Sequence, residues 1–517
     1  MIFSQSIEES AKIRQKPYIA EPFIKRWLEM EASSITSKSL VMKLIKSIGV
    51  CSLFFLLLLS CGYGPPKEQT NAAAKKQQVR PNVIVILIDD AGYVDFGFMG
   101  SKNLPTPEID KLAKSGAIFT DAHVSATVCA PSRAGLMAGQ YQQRTGFEAN
   151  GTGGMGLSDD AITLADVFKT NSYNTYALGK WHLGDDPSDH PNQRGFDEFY
   201  GFLAGSRSYF PLKKPSVNRM LQHNGEQVIF EGYMTDVLGD QAVKFATESV
   251  QEEQPFFMYL AFNAVHTPME AKTEDLQRFE GHPRQELAAM TWSLDENVGK
   301  LRQALAGMGE LDNTLIFFLS DNGGAGNNTS SGGPLKGWKG NKFEGGHRVP
   351  FTISWPGLIP ENQVFDGLTS SLDIFTTATA AADLSIPKEH IVDGVNLLPF
   401  LTGEKSGDPH AALFWRKLEE GAARVGDYKW ITVEAYGSVL YNLAEDIGEH
   451  NDLSSNNTSE NEQLSRQYKD WEDKMKPPRW EEGESWMKVT RHIHESLMEN
   501  KTPAYTDPGG LKRATLR

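Results

Sequence analysis

The chain has 517 residues, of which 40% are hydrophobic and 23% are charged, as in ordinary globular proteins, and this length allows two or three domains. The net charge of −15 excludes nucleic acid as a partner, because a phosphate backbone is bound by clustered lysines and arginines. An anionic substrate would need a local positive pocket in so acidic a chain.

The N-terminal stretch has the pattern of an export signal. Two lysines follow Met42, and the apolar run from Ile48 to Leu59 has the length of a secretory h-region and is too short to span a bilayer. The next residues, through Cys61, resemble a bacterial lipobox, in which this cysteine would be lipidated. We therefore expect translation to start at Met42 and residues 1–61 to be an N-terminal extension plus a lipoprotein signal peptide; an uncleaved anchor is the alternative.

These signals predict where the protein resides. We expect an exported, periplasmic or cell-surface lipoprotein that contacts the membrane only through the lipid anchor at Cys61. Residues 62–80 are rich in Ala, Lys and Gln after a Gly-Pro-Pro segment, which predicts a flexible tether.

From residue 81 the pattern becomes that of an α/β protein. Val83 to Ile88 is a continuous apolar, β-branched run, typical of a strand buried on both faces of a parallel sheet. Further strands are predicted at 175–178, 255–262 and 313–320, and helices at 107–117, 160–170, 234–253, 286–307 and 368–384. Alternating strands and helices predict a largely parallel sheet flanked by helices, and we place this domain at 81–407.

The texture changes after residue 407. Short strands are predicted at 413–415, 424–433 and 439–443, and a helix at 461–474. This pattern predicts a smaller C-terminal α+β subdomain over 408–495, followed by an irregular polar tail over 496–517.

Paired oxygen ligands follow two of the buried strands. Asp89 and Asp90 end one strand, and Asp321 and Asn322 end another. Ligands bind outside the carboxyl ends of strands in open α/β sheets, and three converging carboxylates would repel one another without a cation. A ligand set made only of oxygen selects Ca²⁺ or Mg²⁺. A single aspartate after a strand is more often a turn or cap residue, but two matched pairs favour a metal site.

Basic residues occupy similar positions. Lys180 and His182 follow a third strand, His266 follows a fourth, and Lys339 lies on a Gly/Asn/Ser-rich loop over 323–346. A lone histidine is usually structural, whereas these residues all stand where a site would form. The lysines would supply the positive pocket, and the histidines would transfer protons near neutral pH.

Cys129 is one of three cysteines and the only one outside the N-terminal stretch, where Cys51 and Cys61 lie. Pro131 is suited to the first turn of a helix, and Arg133 follows within one turn. A helix start and a guanidinium both favour negative charge at Cys129, although a small buried residue is the ordinary role of a lone cysteine.

The segment Cys129-Ala130-Pro131-Ser132-Arg133 matches the C-x-P-S-R motif of the type I, formylglycine-dependent sulfatases. Other ordered motifs extend the resemblance: Asp89-Asp90, Gly179-Lys180-Trp181-His182-Leu183-Gly184, Asp321-Asn322-Gly323 and Glu344-Gly345-Gly346-His347-Arg348-Val349-Pro350. It runs from about residue 81 to residue 401. Lys336 stands where many members carry arginine, a departure that would alter substrate contacts.

This resemblance implies an alkaline-phosphatase-like fold and hydrolysis of sulfate esters. Carried over, Cys129 becomes formylglycine through a formylglycine-generating maturation enzyme, and its hydrate is the nucleophile. One Ca²⁺ ion would be held by Asp89, Asp90, Asp321, Asn322 and residue 129. The resemblance also implies roles for the basic groups: Arg133, Lys180 and His182 hold the hydrate, while His266 and Lys339 bind the sulfate and assist the leaving group.

The substrate is expected to be a sulfated polysaccharide or its oligosaccharides. Residues 185–210, with His190, Arg194, Arg207 and Tyr209, would line sugar subsites or else form a surface loop with packing aromatics. Two alternatives stay open: a phosphate or phosphonate monoesterase of the same superfamily, and a non-catalytic carbohydrate-binding lipoprotein with a relict site.

Overall fold

The structure, a computed structural model, describes residues 80–151 and 155–510. The predictions of a start at Met42, a signal peptide, lipidation at Cys61 and, apart from Arg80, a tether lie outside these residues. Within the two described ranges, no helix has both the length and the apolar character needed to cross a membrane.

The strands have the following bounds, in chain order: β1 Asn82–Ile88, β2 Gly116–Phe119, β3 Ala122–His123, β4 Asn174–Lys180, β5 Glu198–Phe202, β6 Gln222–His223, β7 Glu226–Gln227, β8 Phe256–Ala261, β9 Thr314–Ser320, β10 Phe351–Ser354, β11 Gln363–Phe365, β12 Thr369–Ser370, β13 Ala412–Lys417, β14 Glu420–Val425, β15 Tyr428–Val433 and β16 Gly437–Asn442. The α-helices are α1 Pro107–Lys114, α2 Cys129–Ala138, α3 Leu164–Thr170, α4 Met234–Gln251, α5 Thr273–Arg278, α6 Gln285–Met308, α7 Glu344–His347, α8 Asp373–Ala381, α9 Leu398–Leu401, α10 Thr458–Glu472 and α11 Glu484–Met498.

A large mixed sheet forms the centre of the fold, with strand order β11-β2-β10-β9-β1-β8-β4-β5-β6-β7. The inner strands β9, β1, β8, β4 and β5 are parallel, whereas β10 and β6 pair antiparallel with their neighbours. The predicted α/β class with a largely parallel sheet is therefore confirmed. Because the inner strands run the same way, their carboxyl ends meet at one edge of the sheet.

Strand β1 shows why the sheet is buried on both faces. Its residues alternate: Val83, Val85 and Leu87 pack into one apolar core, and the intervening isoleucines pack into the other. Helices α2, α3 and α8 contribute to the first core, and α1, α4 and α6 contribute to the second. All seven residues of β1 are buried, as a continuous apolar run requires.

The four-stranded antiparallel sheet β13-β14-β15-β16 forms the smaller C-terminal part. One of its faces packs on α11 through residues such as Ile431 and Ile493, and the other packs on α10 through Trp430 and Trp471. The predicted α+β character of this part is confirmed.

Several element predictions were wrong in detail. Helix α1 ends at Lys114, and residues 116–119 form β2 instead of its last turn. The strand predicted at 424–433 is two strands, β14 and β15, joined by a tight turn. The polar tail was predicted to begin at 496, but α11 runs through that position to Met498.

Candidate active site

The carboxyl edge of the sheet brings the two predicted acidic pairs together. The β1–β9 register places Ile88 beside Ser320, and the Asp321 amide donates to the Ile88 carbonyl over 2.9 Å. The Asn322 side-chain amide then donates to Asp90 Oδ1 at 2.8 Å. Asp89, Asp90, Asp321 and Asn322 are all buried.

Cys129 is the first residue of α2, and Pro131 lies in its first turn. Its Sγ lies 3.7 Å from Asp89 Oδ1 and accepts a hydrogen bond from Lys339 Nζ at 3.1 Å. Asn150 Oδ1 accepts from the amide of Ala130 at 3.1 Å, which supports the start of the helix. The cysteine therefore lies between a carboxylate and an ammonium at the strand ends.

Three cations face three carboxylates around Cys129. Arg133 donates twice to Asp321 Oδ2, at 2.9 and 2.8 Å. Lys180 contacts Asp89 Oδ2 at 2.6 Å, and Lys339 contacts Asp90 Oδ1 at 2.6 Å. Because the formal charges cancel, any bound cation would give this pocket a net positive charge.

The electrostatics of the cluster differ from the sequence expectation at Cys129. Burial, partly opposed by Lys180 and Lys339, raises the pKa of the Cys129 thiol to about 12. For Asp89, burial acts to raise the pKa, but Lys180, His266, Arg133 and Lys339 together hold it well below its usual range. Burial therefore disfavours the thiolate expected at the helix start, whereas the neighbouring cations favour the ionised form of Asp89.

His182 follows β4 with left-handed backbone (φ 57°), and its ring lies against Gly205. A Cβ at position 205 would lie 2.5 Å from His182 Nε2, so the ring fits only beside glycine. Burial, with Lys180 and Arg133, holds the pKa of His182 well below its usual range. Its Nδ1 is buried without a hydrogen-bond partner, so a neutral imidazole presents an unused nitrogen here.

His266 follows β8 and lies at the mouth of the cluster. Its Nδ1 donates to the carbonyl of Thr267 at 2.6 Å, which leaves Nε2 3.6 Å from Asp90 Oδ2. The side chains of His266 and Lys339 are 18% and 15% exposed, whereas Arg133 and Lys180 are fully buried. The cluster thus has a buried floor and a partly accessible rim.

The donor set fits a hard cation. Asp89, Asp90, Cys129 and His266 each offer a ligand atom within 4.8 Å of the others. Asn322 Oδ1 is buried and has no hydrogen-bond partner, as expected for an oxygen that serves as a ligand of a metal ion. Asp321 shares Oδ2 with Arg133 and accepts the Asp90 amide at Oδ1. The four predicted oxygen residues lie together, and His266 is an additional neighbour.

A cavity of about 430 Å³ opens from this rim. Asp90, His266 and Lys339 line its inner end, and five residues of α11 line one wall. Helix α11 was not among the elements predicted from the sequence. Its spacing of Trp486, Val489, Ile493 and Leu497 is a helical apolar pattern that would have revealed it.

Residues 185–210 do not contribute to this cavity through the four side chains singled out. Arg194 is buried and donates to the carbonyls of Leu157 and Ser158, and Tyr209 holds the carbonyls of Asn263 and His266. Arg207 lies over phenylalanine rings, and His190 pairs with Gln222. These four side chains have packing roles, and the subsite interpretation of residues 185–210 as a whole stays a prediction.

Lys336 also points away from the cavity. Its ammonium donates to the Glu449 carbonyl and to Asn500 Oδ1, each at 2.7 Å, and lies over the ring of Phe343. The substitution of lysine for arginine therefore affects the contact of the loop with the C-terminal part and does not alter a substrate contact in this cavity.

A second buried polar cluster lies apart from the cavity. We call it the sealed cluster; its members are Asp121, His123, Glu344, His347 and Lys429. His123 Nδ1 contacts His347 Nδ1 at 2.9 Å, and Lys429 Nζ lies 2.8 Å from both His347 Nε2 and Glu344 Oε1. His123 Nε2 contacts Asp121 at 2.9 Å, so every ring nitrogen has a partner.

Comparisons with known proteins agree with this geometry. A family model described as Sulfatase matches residues 81–384. An uncharacterized sulfatase, YdeN of Escherichia coli (strain K12), is 33% identical and is matched over 65% of this chain and 68% of its own. The N-acetylgalactosamine-6-sulfatase of Homo sapiens is 31% identical, with 68% and 71% covered.

A solved structure is also similar over most of both chains. It is the crystal structure of Ps i-CgsB in complex with k-i-k-neocarrahexaose, which is 38% identical to this chain. The match has a TM-score of 0.74 and covers 80% of this chain and 96% of that one.

Proposed function

The chain belongs to the sulfatase family of the alkaline-phosphatase-like superfamily and is a sulfuric ester hydrolase, and from this premise we propose that it removes sulfate from a sulfated polysaccharide or its oligosaccharides. One observation carries the proposal. Cys129 lies between Asp89 and Lys339 in a buried cluster of balanced charges that opens into a cavity. The carrageenan oligosaccharide bound by the similar solved protein supports a sulfated carbohydrate as substrate class.

We propose one Ca²⁺ ion at this cluster. The ion would be held by Asp89, Asp90, Asp321, Asn322 and the modified residue 129. Asn322 Oδ1, which has no hydrogen-bond partner, would then coordinate the ion. When bound, Ca²⁺ supplies positive charge that attracts the sulfate oxygens and stabilises charge developing on them. The three carboxylates balance the three protein cations, so Ca²⁺ would supply the net positive charge of the pocket.

We further propose that a maturation enzyme oxidises Cys129 to formylglycine. The hydrate of formylglycine supplies the attacking oxygen and a second hydroxyl that allows sulfate to be expelled. The supporting observation is that Cys129 contacts Lys339, a cation that lines the cavity and can bind an oxygen anion. It is also the only cysteine in the part of the chain that the structure describes.

The side chains around residue 129 divide the work. Arg133 and Lys180, fixed by Asp321 and Asp89, hold the floor of the pocket and orient the groups above it. His182 Nδ1 has no hydrogen-bond partner, so it is the nitrogen available to accept a proton there. At the rim, Lys339 Nζ meets the sulfate oxygens, and His266 Nε2 hands a proton to the departing sugar oxygen.

The cellular setting is also a proposal. The lipobox-like sequence ending at Cys61 supports an exported lipoprotein whose mature chain begins at that residue. Intact mass and N-terminal sequencing of the exported protein measure this directly. A mature chain that begins before Cys61 contradicts lipidation there.

Released sulfate is the measurement that tests the reaction. The natively expressed, full-length protein is incubated with carrageenan oligosaccharides, 4-nitrophenyl sulfate, 4-nitrophenyl phosphate and a phenyl phosphonate monoester. We expect sulfate release to exceed phosphate and phosphonate turnover. Faster cleavage of a phosphorus ester instead supports the monoesterase alternative. No turnover, together with unmodified Cys129 in the peptide mass spectrum, supports the non-catalytic carbohydrate-binding alternative.

A further inference from the structure

We propose that helix α11 forms a sugar-binding wall, with Trp486 stacking on the ring next to the one that carries the scissile sulfate. This inference rests on the proposed function and names a part of the substrate site that lies outside the matched family model, which ends at residue 384. The motif residues of the first domain bind the sulfate end. The C-terminal helix would determine which saccharide reaches them.

The first argument is that the two parts line one cavity. Asp90, His266 and Lys339 lie at its inner end, and Trp486 and Thr490 of α11 line the same space. A volume of about 430 Å³ is larger than a sulfate group requires and is in the range of small-ligand sites. The remaining space has to accept the saccharide that carries the sulfate.

The second argument is the spacing along α11. The lining residues are Trp486, Val489, Thr490, Ile493 and His494, which follow the i, i+3, i+4, i+7, i+8 pattern of a single helix face. Seven residues of helix rise by roughly 10 Å, about the length of two linked sugar rings. The wall is therefore long enough to contact a ring beyond the sulfated one.

The third argument is the exposure of Trp486. Val489 and Ile493 are buried by packing on the small sheet, whereas Trp486, one turn before them, is 44% exposed. A large aromatic side chain kept half in solvent at a cavity is typical of a binding surface. The C–H face of a sugar ring is apolar and flat enough to cover an indole.

The fourth argument is the charge at this end of the cavity. Lys417, from β13, lines the cavity beside α11. Its Nζ donates to Glu482 Oε2 at 2.7 Å, so this cation is already paired. Glu484, at the start of α11, is paired with Lys488. Among the described residues, the wall thus offers an aromatic face and polar groups such as the Thr490 hydroxyl and has no free cation for a second sulfate. We infer recognition of a ring by its apolar face and hydroxyls.

The wall is also held in place next to Cys129. Trp480 Nε1 donates to the Ala149 carbonyl at 2.9 Å, and the Arg479 amide donates to the Gly146 carbonyl at 2.9 Å. Asn150, the residue after Ala149, supports the start of α2 through its contact with the Ala130 amide. The segment before α11 is therefore anchored to a loop that also contacts the helix of the nucleophile position.

The experiment compares a long and a short substrate. In the full-length enzyme, Trp486→Ala is expected to lower kcat/KM for a carrageenan hexasaccharide about tenfold, mainly by raising KM. For 4-nitrophenyl sulfate, which is too short to reach Trp486, the same variant should lower kcat/KM about twofold or less. Trp486→Phe should retain most of the hexasaccharide activity because it keeps an aromatic face. Tyr436→Ala is the matched control, an aromatic of similar exposure in the C-terminal part that lines neither this cavity nor the cluster.

Calorimetric binding of the same hexasaccharide separates this inference from the proposed function. Binding that weakens about tenfold in Trp486→Ala supports the wall even if no sulfate is released, an outcome in which the proposed function alone fails. The inference is overturned if Trp486→Ala affects both substrates equally or neither, or if neither the native protein nor the variant binds the hexasaccharide.

Discussion

The two buried polar clusters of this protein have similar compositions and opposite designs. Each contains carboxylates, histidine and lysine, and each has three or more side chains placed closely enough to coordinate one metal ion. In the sealed cluster, Lys429 occupies the position that a cation would take, between Glu344 and His347. In the active-site cluster, Asn322 Oδ1 and His182 Nδ1 have no partner, and the rim opens to a cavity.

The hydrogen bonds of the sealed cluster are compatible with two neutral imidazoles. If Lys429 donates to His347 Nε2, then His347 Nδ1 donates to His123 Nδ1, and His123 Nε2 donates to Asp121. Both imidazoles are thus neutral, consistent with burial lowering the pKa of each. No ring nitrogen of these two histidines keeps a lone pair for a metal. The comparison teaches that unsatisfied acceptors and access, more than residue types, distinguish a reactive cluster from a structural one.

The strongest test of the active-site side is Cys129→Ser. A serine carries one hydroxyl, so it can accept a sulfate from the substrate but lacks the second hydroxyl needed to expel it. We expect turnover to fall by about four orders of magnitude or more and the enzyme to stall with sulfate esterified to the substituted side chain. Intact mass after incubation with substrate detects the adduct, and sustained turnover by this variant would contradict the mechanism.

Replacing one lysine in each cluster sharpens the contrast. Lys429→Met removes the buried ammonium beside Glu344 Oε1 and leaves that carboxylate paired only with Arg348, at 3.3 Å, so we expect the free energy of unfolding to fall by about 3 kcal/mol in urea denaturation. Lys339→Met should unfold closer to the native protein, because its ammonium reaches the cavity, and should lose about 10²–10³ in kcat/KM. A stable Lys429→Met protein with selectively lost activity would reverse the assignment of roles.

Calcium should stabilise one cluster and leave the other unchanged. At 100 times its dissociation constant, Ca²⁺ is expected to add about 2.7 kcal/mol to the free energy of unfolding, seen as a higher thermal midpoint that a chelator reverses. Asn322→Ala should weaken this response, because it removes an oxygen ligand. Lys429→Met should show the same gain in the free energy of unfolding on Ca²⁺ addition, although its stability without Ca²⁺ is lower. An unchanged response in Asn322→Ala argues against the proposed site.

A pH dependence is expected at the border of the sealed cluster. Burial, opposed by Lys429 and Lys336 and reinforced by Glu344, raises the pKa of Glu449 to about 8. The folded carboxyl keeps a proton that the unfolded chain releases above its ordinary value of 4.5, so stability falls as pH rises between about 4.5 and 8.

Glu449→Gln removes this titration. The free energy of unfolding should then decline less steeply across that window, by at most about 1.4 kcal/mol per pH unit relative to the native chain. Urea denaturation at several values of pH within the window measures the two slopes. Equal slopes in the native and variant proteins would show that the carboxyl at position 449 does not hold a proton in the fold.

Much of the candidate site was predictable because it lies at strand ends. The apolar run of β1 and the run of β9 identify buried parallel strands, and the polar residues that follow them must then meet at one edge. Asp89, Asp90, Asp321 and Asn322 were found in this way. Lys180 followed from the same reasoning and Lys339 from the long loop over 323–346, and the structure places both against those carboxylates.

The sequence by itself determined the fold class and the chemistry of the pocket floor, because local periodicity and chain order decide which residues end neighbouring strands. Only the tertiary structure decided the burial that raises the pKa of Cys129 and lowers that of His182, and the packing roles of Arg194 and Tyr209. Only the tertiary structure brought Trp486, which is far from Cys129 in the chain, to the cavity beside it. Burial and long-range contacts set these properties, and neither can be read from the residues adjacent in the chain.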